Sequence, residues 1–291
     1  VTIMRGCDKF CTFCIVPFTR GRERSRSVSG ITREVSKAVN QGFSEITLLG
    51  QNVNSYDFEG IKFPELLRSV AEIPGVQRIR YTSPHPQDIN EELLEVMQKY
   101  KNICNYIHLP LQAGSNRILK RMNRTYTKEH FIELALKIRD YLPGVGISTD
   151  IIVGFPGETD DDFEHTIDVM NKVNFDSAYT FKYSPRKGTK ATEYDDQIKE
   201  NVKQERLSRV IDLQKSHTLL RNEVYVGNIE NVLIEKQSKK NKSMWTGRTD
   251  SNKWVVFDKS GYSVNDIVPV LITESRGITL HGKISKKVKA A

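Results

Sequence analysis

Three of the four cysteines, Cys7, Cys11 and Cys14, fall within eight residues of one another. Gaps of three and then two residues let one short loop turn all three sulfurs toward a common centre. Thiolates are soft ligands that favour iron–sulfur clusters or zinc. Three protein ligands on a four-iron cluster leave one iron open, and a catalytic centre needs such a position. A structural zinc site asks for a fourth ligand. None is close in sequence, but His85 and His108 are candidates through space, so both metals stand at this point. Cys104 follows a polar stretch and precedes an apolar one, and is expected to be a buried core thiol. Crowded thiols without a signal sequence point to a reducing cytoplasm rather than a disulfide framework.

The elements around the cysteines form a repeating pattern. Strand-like runs at 1–4, 45–49, 77–82, 105–109, 145–153 and 176–183 alternate with helical periodicity at 31–40, 64–73, 89–100, 115–123, 127–141 and 159–173. This βα alternation predicts an α/β fold with a parallel sheet, here an open or partial barrel. In such folds ligands sit at the C-terminal ends of the strands. The segments there are the cysteine loop, 50–54, 83–85, 110–115 and 154–158.

The motif Cys7-x3-Cys11-x2-Cys14, with aromatic Phe13 before the last cysteine, resembles the signature of the radical S-adenosylmethionine superfamily. The resemblance implies a 4Fe–4S cluster whose open iron chelates S-adenosylmethionine, with reductive cleavage to a 5′-deoxyadenosyl radical. It also implies a cofactor cradle. Gly50, Gln51 and Asn52 occupy the place of a Gly-Gly-Glu motif, from which Gln51 departs. Ser83, Gln112 and Asp150 would meet the ribose hydroxyls and the carboxylate, and Ile152 and Phe155 would flank the adenine. Further segments, Ile15-Val-Pro-Phe-Thr-Arg-Gly21, His108-Leu-Pro-Leu-Gln-Ala-Gly-Ser115, Leu119-Lys-Arg-Met-Asn-Arg124 and Thr149-Asp-Ile-Ile-Val-Gly-Phe-Pro-Gly-Glu-Thr159, resemble the methylthiotransferase family. Leu48-Leu-Gly-Gln-Asn-Val-Asn-Ser-Tyr56 resembles its MiaB branch, which adds a methylthio group to C2 of N6-isopentenyladenosine beside the tRNA anticodon. Sister branches act on threonylcarbamoyladenosine in tRNA or on an aspartate of a ribosomal protein. The resemblance further implies a second cluster on three cysteines of an N-terminal domain, and an electron donor. This chain has only Cys104 to spare and opens on Val1. It is therefore expected to be a fragment that lacks the N-terminal domain, holds one cluster and depends on that domain as a partner.

Net charge is +8 with a pI near 9.2, which suggests an anionic partner, nucleic acid being the commonest. No apolar run approaches the ~18 residues of a membrane span. After a long charged helix candidate at 199–225, short β-like runs at 229–236, 243–249, 253–257, 266–274 and 278–284 predict a small closed barrel. It resembles a TRAM domain, an RNA-binding module. Lys236, Lys239, Lys240, Lys242, Arg248 and Lys253 crowd its first hairpins among Trp245, Trp254 and Phe257. Such charge tracks phosphate, and aromatic faces stack unpaired bases. Trp254 is expected in the core. Arg20, Arg22, Arg24 and Arg26 are expected either to clamp a tRNA anticodon stem-loop or to pair with Glu23 or Glu158. The expected division is 1–216 for the radical domain, 217–284 for the small barrel and 285–291 for a basic tail. The competing reading is a zinc-stabilised RNA-binding protein without catalysis.

Overall fold

The structure, a computed structural model, describes residues 1–285. Its first unit carries β1 (Met4–Arg5), β2 (Glu45–Leu48), β3 (Arg78–Tyr81), β4 (Tyr106–His108), β5 (Gly146–Val153) and β6 (Ser177–Lys182). Between and after them run α1 (Val16–Arg20), α2 (Val28–Asn40), α3 (Phe63–Ala71), α4 (Glu91–Lys99), α5 (Asn116–Arg121), α6 (Lys128–Tyr141), α7 (Asp160–Val173) and α8 (Glu200–Glu223). Neighbours in sequence are neighbours in the sheet, all parallel. Thr2 bridges Leu49, Glu45 pairs with Arg78, Ile79 bridges Ile103, Tyr106 pairs with Gly146 and Ser148 with Ser177. Among the described residues no strand joins the outer edge of β6. The barrel is thus open, as the alternation predicts.

Local sequence explains the elements. β5 is buried along most of its length, as a parallel strand covered on both faces is, although Ser148, Thr149 and Asp150 interrupt its apolar residues, which run on only at Ile151–Val153. The Thr159 hydroxyl accepts the Asp162 N–H while the Asp162 carboxylate accepts the Thr159 N–H, a capping box that starts α7. Ser27 caps α2, which turns Ile31 and Val35 into the core.

The second unit is a closed barrel of β7 (Ile229–Gln237), β8 (Met244–Arg248), β9 (Trp254–Asp258), β10 (Ile267–Arg276) and β11 (Thr279–Ile284), ordered β7-β8-β9-β11-β10. Val232, Ile234, Val255 and Phe257 lie in its core. Side chains alternate along β9, so burying Val255 and Phe257 turns Trp254 outward. This corrects the expectation that Trp254 fills the core; Trp245 packs there instead.

The small barrel plugs the N-terminal ends of the large sheet. Arg78 is buried and donates to the carbonyl oxygens of Arg248 (2.8 Å) and Asn231 (2.6 Å). Arg80, also buried, donates to the Glu45 carboxylate (2.8 Å) and to the carbonyl oxygens of Thr249 (2.8 Å) and Asp250 (3.2 Å). Lys253 reaches Asp176 at 2.7 Å. The expected boundary at 216/217 falls inside α8, which continues to Glu223 and serves both units: Val210 packs in the large core, and Tyr225 just beyond the helix packs in the small one. Apart from Ser285, the expected basic tail lies outside the described residues. Among the described residues no helix is long and apolar enough to cross a membrane.

Candidate active site at the strand ends

The cysteine loop leaves β1 and returns through a short strand, Arg24–Ser25, that pairs with β1 and closes the base of the loop. Gly6 sits at φ +84°, and a Cβ there would lie 2.1 Å from the Arg22 carbonyl oxygen, so only glycine fits. The Gly6 N–H donates to Gln51 Oε1 (2.7 Å). The Cys14 N–H donates to the Cys11 carbonyl (2.9 Å), forming a tight turn. The loop is moored on two further sides. Lys9 pairs with Asp88 (2.8 Å), and the Thr12 hydroxyl donates to the Arg121 carbonyl (2.8 Å). The three cysteines are half-buried and free, while Cys104 is buried in the core as expected. Burial pushes the Cys7 thiol up to about 11, and Cys14 upward too. Thiols in this setting ionise only with a cation at hand, and a metal centre supplies one.

Gly50 at the end of β2 has no room for a side chain, since a Cβ would lie 2.6 Å from Met4 Cγ. Asn52 is buried; its amide donates to Asp88 (2.9 Å), but its Oδ1 is a buried acceptor with no partner. Three non-glycine residues in the strand-end loops hold left-handed backbone: Phe10 (φ 42°), Ser83 (φ 58°) and Gln112 (φ 68°). Such conformations cost about 1–3 kcal/mol each and collect at functional sites. Gln112 is held by backbone bonds, donating to Asp150 O and accepting from Ile152 N, both at 2.8 Å. On β5, Ser148, Asp150 and Ile152 share one face by alternation. Asp150 lies 3.4 Å from His108 Nε2, and His108 Nδ1 lies 2.8 Å from Ser148 Oγ.

Two cavities lie at this end and take in Gly50, Gln51 and Phe10, but Asn52, Ser83, Gln112, Asp150 and Ile152 line neither. One of about 550 Å3 is lined by Arg5, Arg20, Leu49, Gly50, Gln51 and Thr82. Another, about 350 Å3, touches Cys11 and Cys14 with Phe10 and Phe18 in its wall. A cavity of about 570 Å3 lies at the opposite end, at the seam with the small barrel, and has no thiol in its wall.

Several expectations need correction. Phe155 lines neither of these two strand-end cavities; it is wholly buried beneath the loop, edge-on to Phe13 (6.4 Å) and Tyr183 (5.3 Å). The arginines after the loop do not pair with Glu23 or Glu158. Arg22 pairs with Asp8 (2.6 Å) and Arg26 with Glu34 (2.8 Å), while Glu158 pairs with Arg206 (2.7 Å). Arg20 and Arg24 are exposed, with no anionic partner among the described residues. Gln51 turns its carbonyl oxygen to Gly6 rather than leaving it free for a cofactor. On the small barrel, Lys239, Lys240 and Lys242 are exposed in the β7–β8 turn, and Lys236 lies 5.0 Å over the Trp254 ring. Arg248 is instead held by Glu235 and by Asn252 Oδ1, so its charge is neutralised locally.

Among the described residues no three His, Cys, Asp or Glu side chains gather as a site for a single metal ion, whereas three free thiols on one loop are the donor set of an iron–sulfur cluster. His85 Nδ1 accepts the Gln87 N–H (3.3 Å), and burial together with Arg124 and Lys9 lowers this imidazole to about 2. His108 is engaged with Ser148 and Asp150. Neither histidine is left over as a fourth ligand, whereas Asn52 Oδ1 is buried without a partner. Sequence reasoning missed Arg5, on the cavity wall, and Arg124, whose Nη1 lies 3.4 Å from Cys11 Sγ. Arg124 had surfaced only as the end of a family-like segment.

A model of the radical SAM superfamily matches residues 1–170, and the chain belongs to that superfamily. A TRAM domain model matches residues 223–285. Among similar proteins, the tRNA-2-methylthio-N(6)-dimethylallyladenosine synthase of Acetivibrio thermocellus is 49% identical over 98% of this chain and 60% of its own length. The protein of the same name from Carboxydothermus hydrogenoformans is 49% identical over 97% of this chain and 65% of its own. The chain thus spans about three-fifths of the length of these curated relatives. In fold it resembles coproporphyrinogen III oxidase (HemN) from Escherichia coli (TM-score 0.56, 13% identity, covering 86% of this chain and 65% of that one). It likewise resembles the radical S-adenosylmethionine methyltransferase TsrM from Kitasatospora setae (TM-score 0.56, 15% identity, covering 66% and 38%).

Proposed function

We propose that this chain is the radical and RNA-binding part of a cytoplasmic tRNA methylthiotransferase that acts at C2 of N6-isopentenyladenosine beside the anticodon. The observation that carries the reading is the trio of half-buried thiols on a moored loop, next to cavities and an unpartnered Asn52 Oδ1, in a chain so similar to the relatives above. When bound, a 4Fe–4S cluster on Cys7, Cys11 and Cys14 and S-adenosylmethionine supply reductive C–S cleavage to a 5′-deoxyadenosyl radical. The chain's own residues bind and orient. Asn52 Oδ1 accepts from the methionine ammonium, and Gly50 lets the cofactor approach the backbone. Ser83, Gln112 and Asp150 take ribose hydroxyls, with Ile152 beside the adenine, while Phe13 and Phe155 support the loop from below.

Substrate recognition falls to cations left unpaired. Arg20 and Arg24 at the mouth take tRNA phosphates, as do Lys236, Lys239, Lys240 and Lys242 on the small barrel; Arg22 and Arg248, already paired, contribute less. The domain that carries a second cluster and a low-potential electron donor are the further partners.

Anaerobic reconstitution tests the reading. It predicts about four irons per chain, absorbance near 400 nm lost on reduction, and 5′-deoxyadenosine from added S-adenosylmethionine. A colourless protein holding zinc would overturn it, and about eight irons per chain would overturn the single-cluster assignment. Nucleoside analysis of tRNA from a deletion strain separates isopentenyl from threonylcarbamoyl substrates.

A further inference from the structure

Arg124 follows α5 and carries a charge fixed on several sides. Its Nε donates to Tyr126 Oη (2.9 Å), its Nη2 to the Pro110 carbonyl (3.2 Å) and its Nη1 to Cys11 Sγ (3.4 Å). The guanidinium also lies 5.0 Å over the Tyr126 ring. Tyr126 is pinned in turn, its hydroxyl donating to the carbonyls of Pro110 (2.9 Å) and Leu111 (3.0 Å). Three other cations around the loop are neutralised: Lys9 by Asp88, Arg22 by Asp8 and Arg121 by Asp196. Among the described residues no carboxylate pairs with Arg124. On the loop it meets the sulfur of Cys11.

We propose that Arg124 is a positioning residue that raises the reduction potential of the centre held by Cys7, Cys11 and Cys14, acting through the Cys11 sulfur. The proposal rests on reading these cysteines as cluster ligands. Reduction adds one electron, taken from a low-potential donor (dithionite in the test), and makes the centre one unit more negative. A fixed cation and an N–H···S bond at a ligand sulfur stabilise that added charge, and hydrogen bonds to sulfur and local net charge are established levers on such potentials. In the partly water-excluded wall of the loop the interaction is screened less than at the surface. Arg186 supplies an internal control. Its charge reaches Cys14, but its side chain is exposed and has no hydrogen bond to that sulfur.

The test is an EPR-monitored redox titration of the reconstituted chain, with iron counted in every sample. Arg124→Gln is expected to keep its iron and shift the midpoint to a more negative potential. Arg124→Lys should shift it less, and so should Arg186→Gln, whose exposed charge is screened. An unshifted midpoint in Arg124→Gln with iron retained overturns the proposal, as does a shift in Arg124→Lys as large as in Arg124→Gln. If Arg124→Gln takes up no iron, Tyr126→Phe decides, because it keeps the charge and removes one anchor. A more negative midpoint there supports the proposal, and a wild-type one overturns it. A wild-type chain that forms no iron–sulfur centre would overturn the cluster reading itself, a result distinct from an unshifted midpoint.

Discussion

The two ends of the large sheet have opposite polar economies. At the N-terminal end, the buried Arg78 and Arg80 donate to main-chain carbonyls of the small barrel, and Arg80 also meets Glu45. Asp176 gathers Lys253 (2.7 Å) and Arg221 (3.2 Å). At the C-terminal end, Asn52 Oδ1 lacks a donor, Arg5, Arg20 and Arg124 lack carboxylates among the described residues, and Phe10, Ser83 and Gln112 hold left-handed backbone. The ion pairs and hydrogen bonds of the first end lock two units together, although Arg139 Nε, Gln214 Oε1 and Asn222 Oδ1 there are also buried without a partner. The other leaves groups open, which destabilises the free protein but prepares it for ligands.

The largest effect expected belongs to the open end. Replacing Cys7, Cys11 or Cys14 by Ser should drop iron from about four per chain to near none, while the thermal midpoint of the iron-free chain barely moves. A variant that keeps full iron removes that residue from the ligand set. Next comes the closed end. Arg80→Met leaves the Asp250 carbonyl and part of Glu45 without a donor in a buried seam and the Thr249 carbonyl with only the Asn252 N–H, a loss of about 3–5 kcal/mol. Urea unfolding measures it, and protease cleavage between α8 and β7 should quicken. A loss within about 0.5 kcal/mol, the range of ordinary surface changes, would dissolve the contrast between the ends.

The open end was largely readable in sequence, and the closed end was not. Cysteine spacing, glycine and strand order are local signals, and they pointed to the loop, Gly50 and the six parallel strands. What joins the two units is nonlocal: Arg78 meets Asn231, and Arg80 meets Thr249, across more than 150 positions. Nothing near Arg78 in the chain announces a main-chain acceptor so far away. Charge partners are hidden from the sequence for the same reason. Glu23 was the nearest carboxylate in sequence to Arg22, yet the loop's return at Arg24–Ser25 places Asp8 against Arg22 instead. Trp254 was misplaced because hydropathy alone does not fix which face of β9 looks inward.

Acid should weaken the open end through His85. His85 is buried beside Arg124 and Lys9, which keeps its imidazole neutral to about pH 2 in the folded chain. The unfolded chain takes up that proton below about pH 6.5. The unfolded form therefore binds more protons, and stability falls as pH drops through that value. From about pH 7.5 to about pH 5 the loss from this one group is about 2 kcal/mol. His85→Asn should flatten the urea-derived stability profile by that amount over the same window; an unchanged slope means the acid loss arises elsewhere.

The smallest effect tests whether the open end is strained for its ligand. Gln112 at φ 68° is held there by its two backbone bonds to β5. Glycine adopts this region freely, so Gln112→Gly should release about 1–3 kcal/mol of strain, offset by about 0.5–1 kcal/mol of added freedom in the unfolded chain. A net gain of about 1 kcal/mol in urea unfolding is expected, together with weaker S-adenosylmethionine binding by the reconstituted chain. Asn174, the C-cap of α7 at φ 57°, is the comparison. Asparagine tolerates this region, so Asn174→Gly should gain less. If Gln112→Gly destabilises the chain, the Gln112 side chain contributes packing that outweighs its backbone strain, and the left-handed turn at the end of β4 is a structural device rather than a ligand cradle.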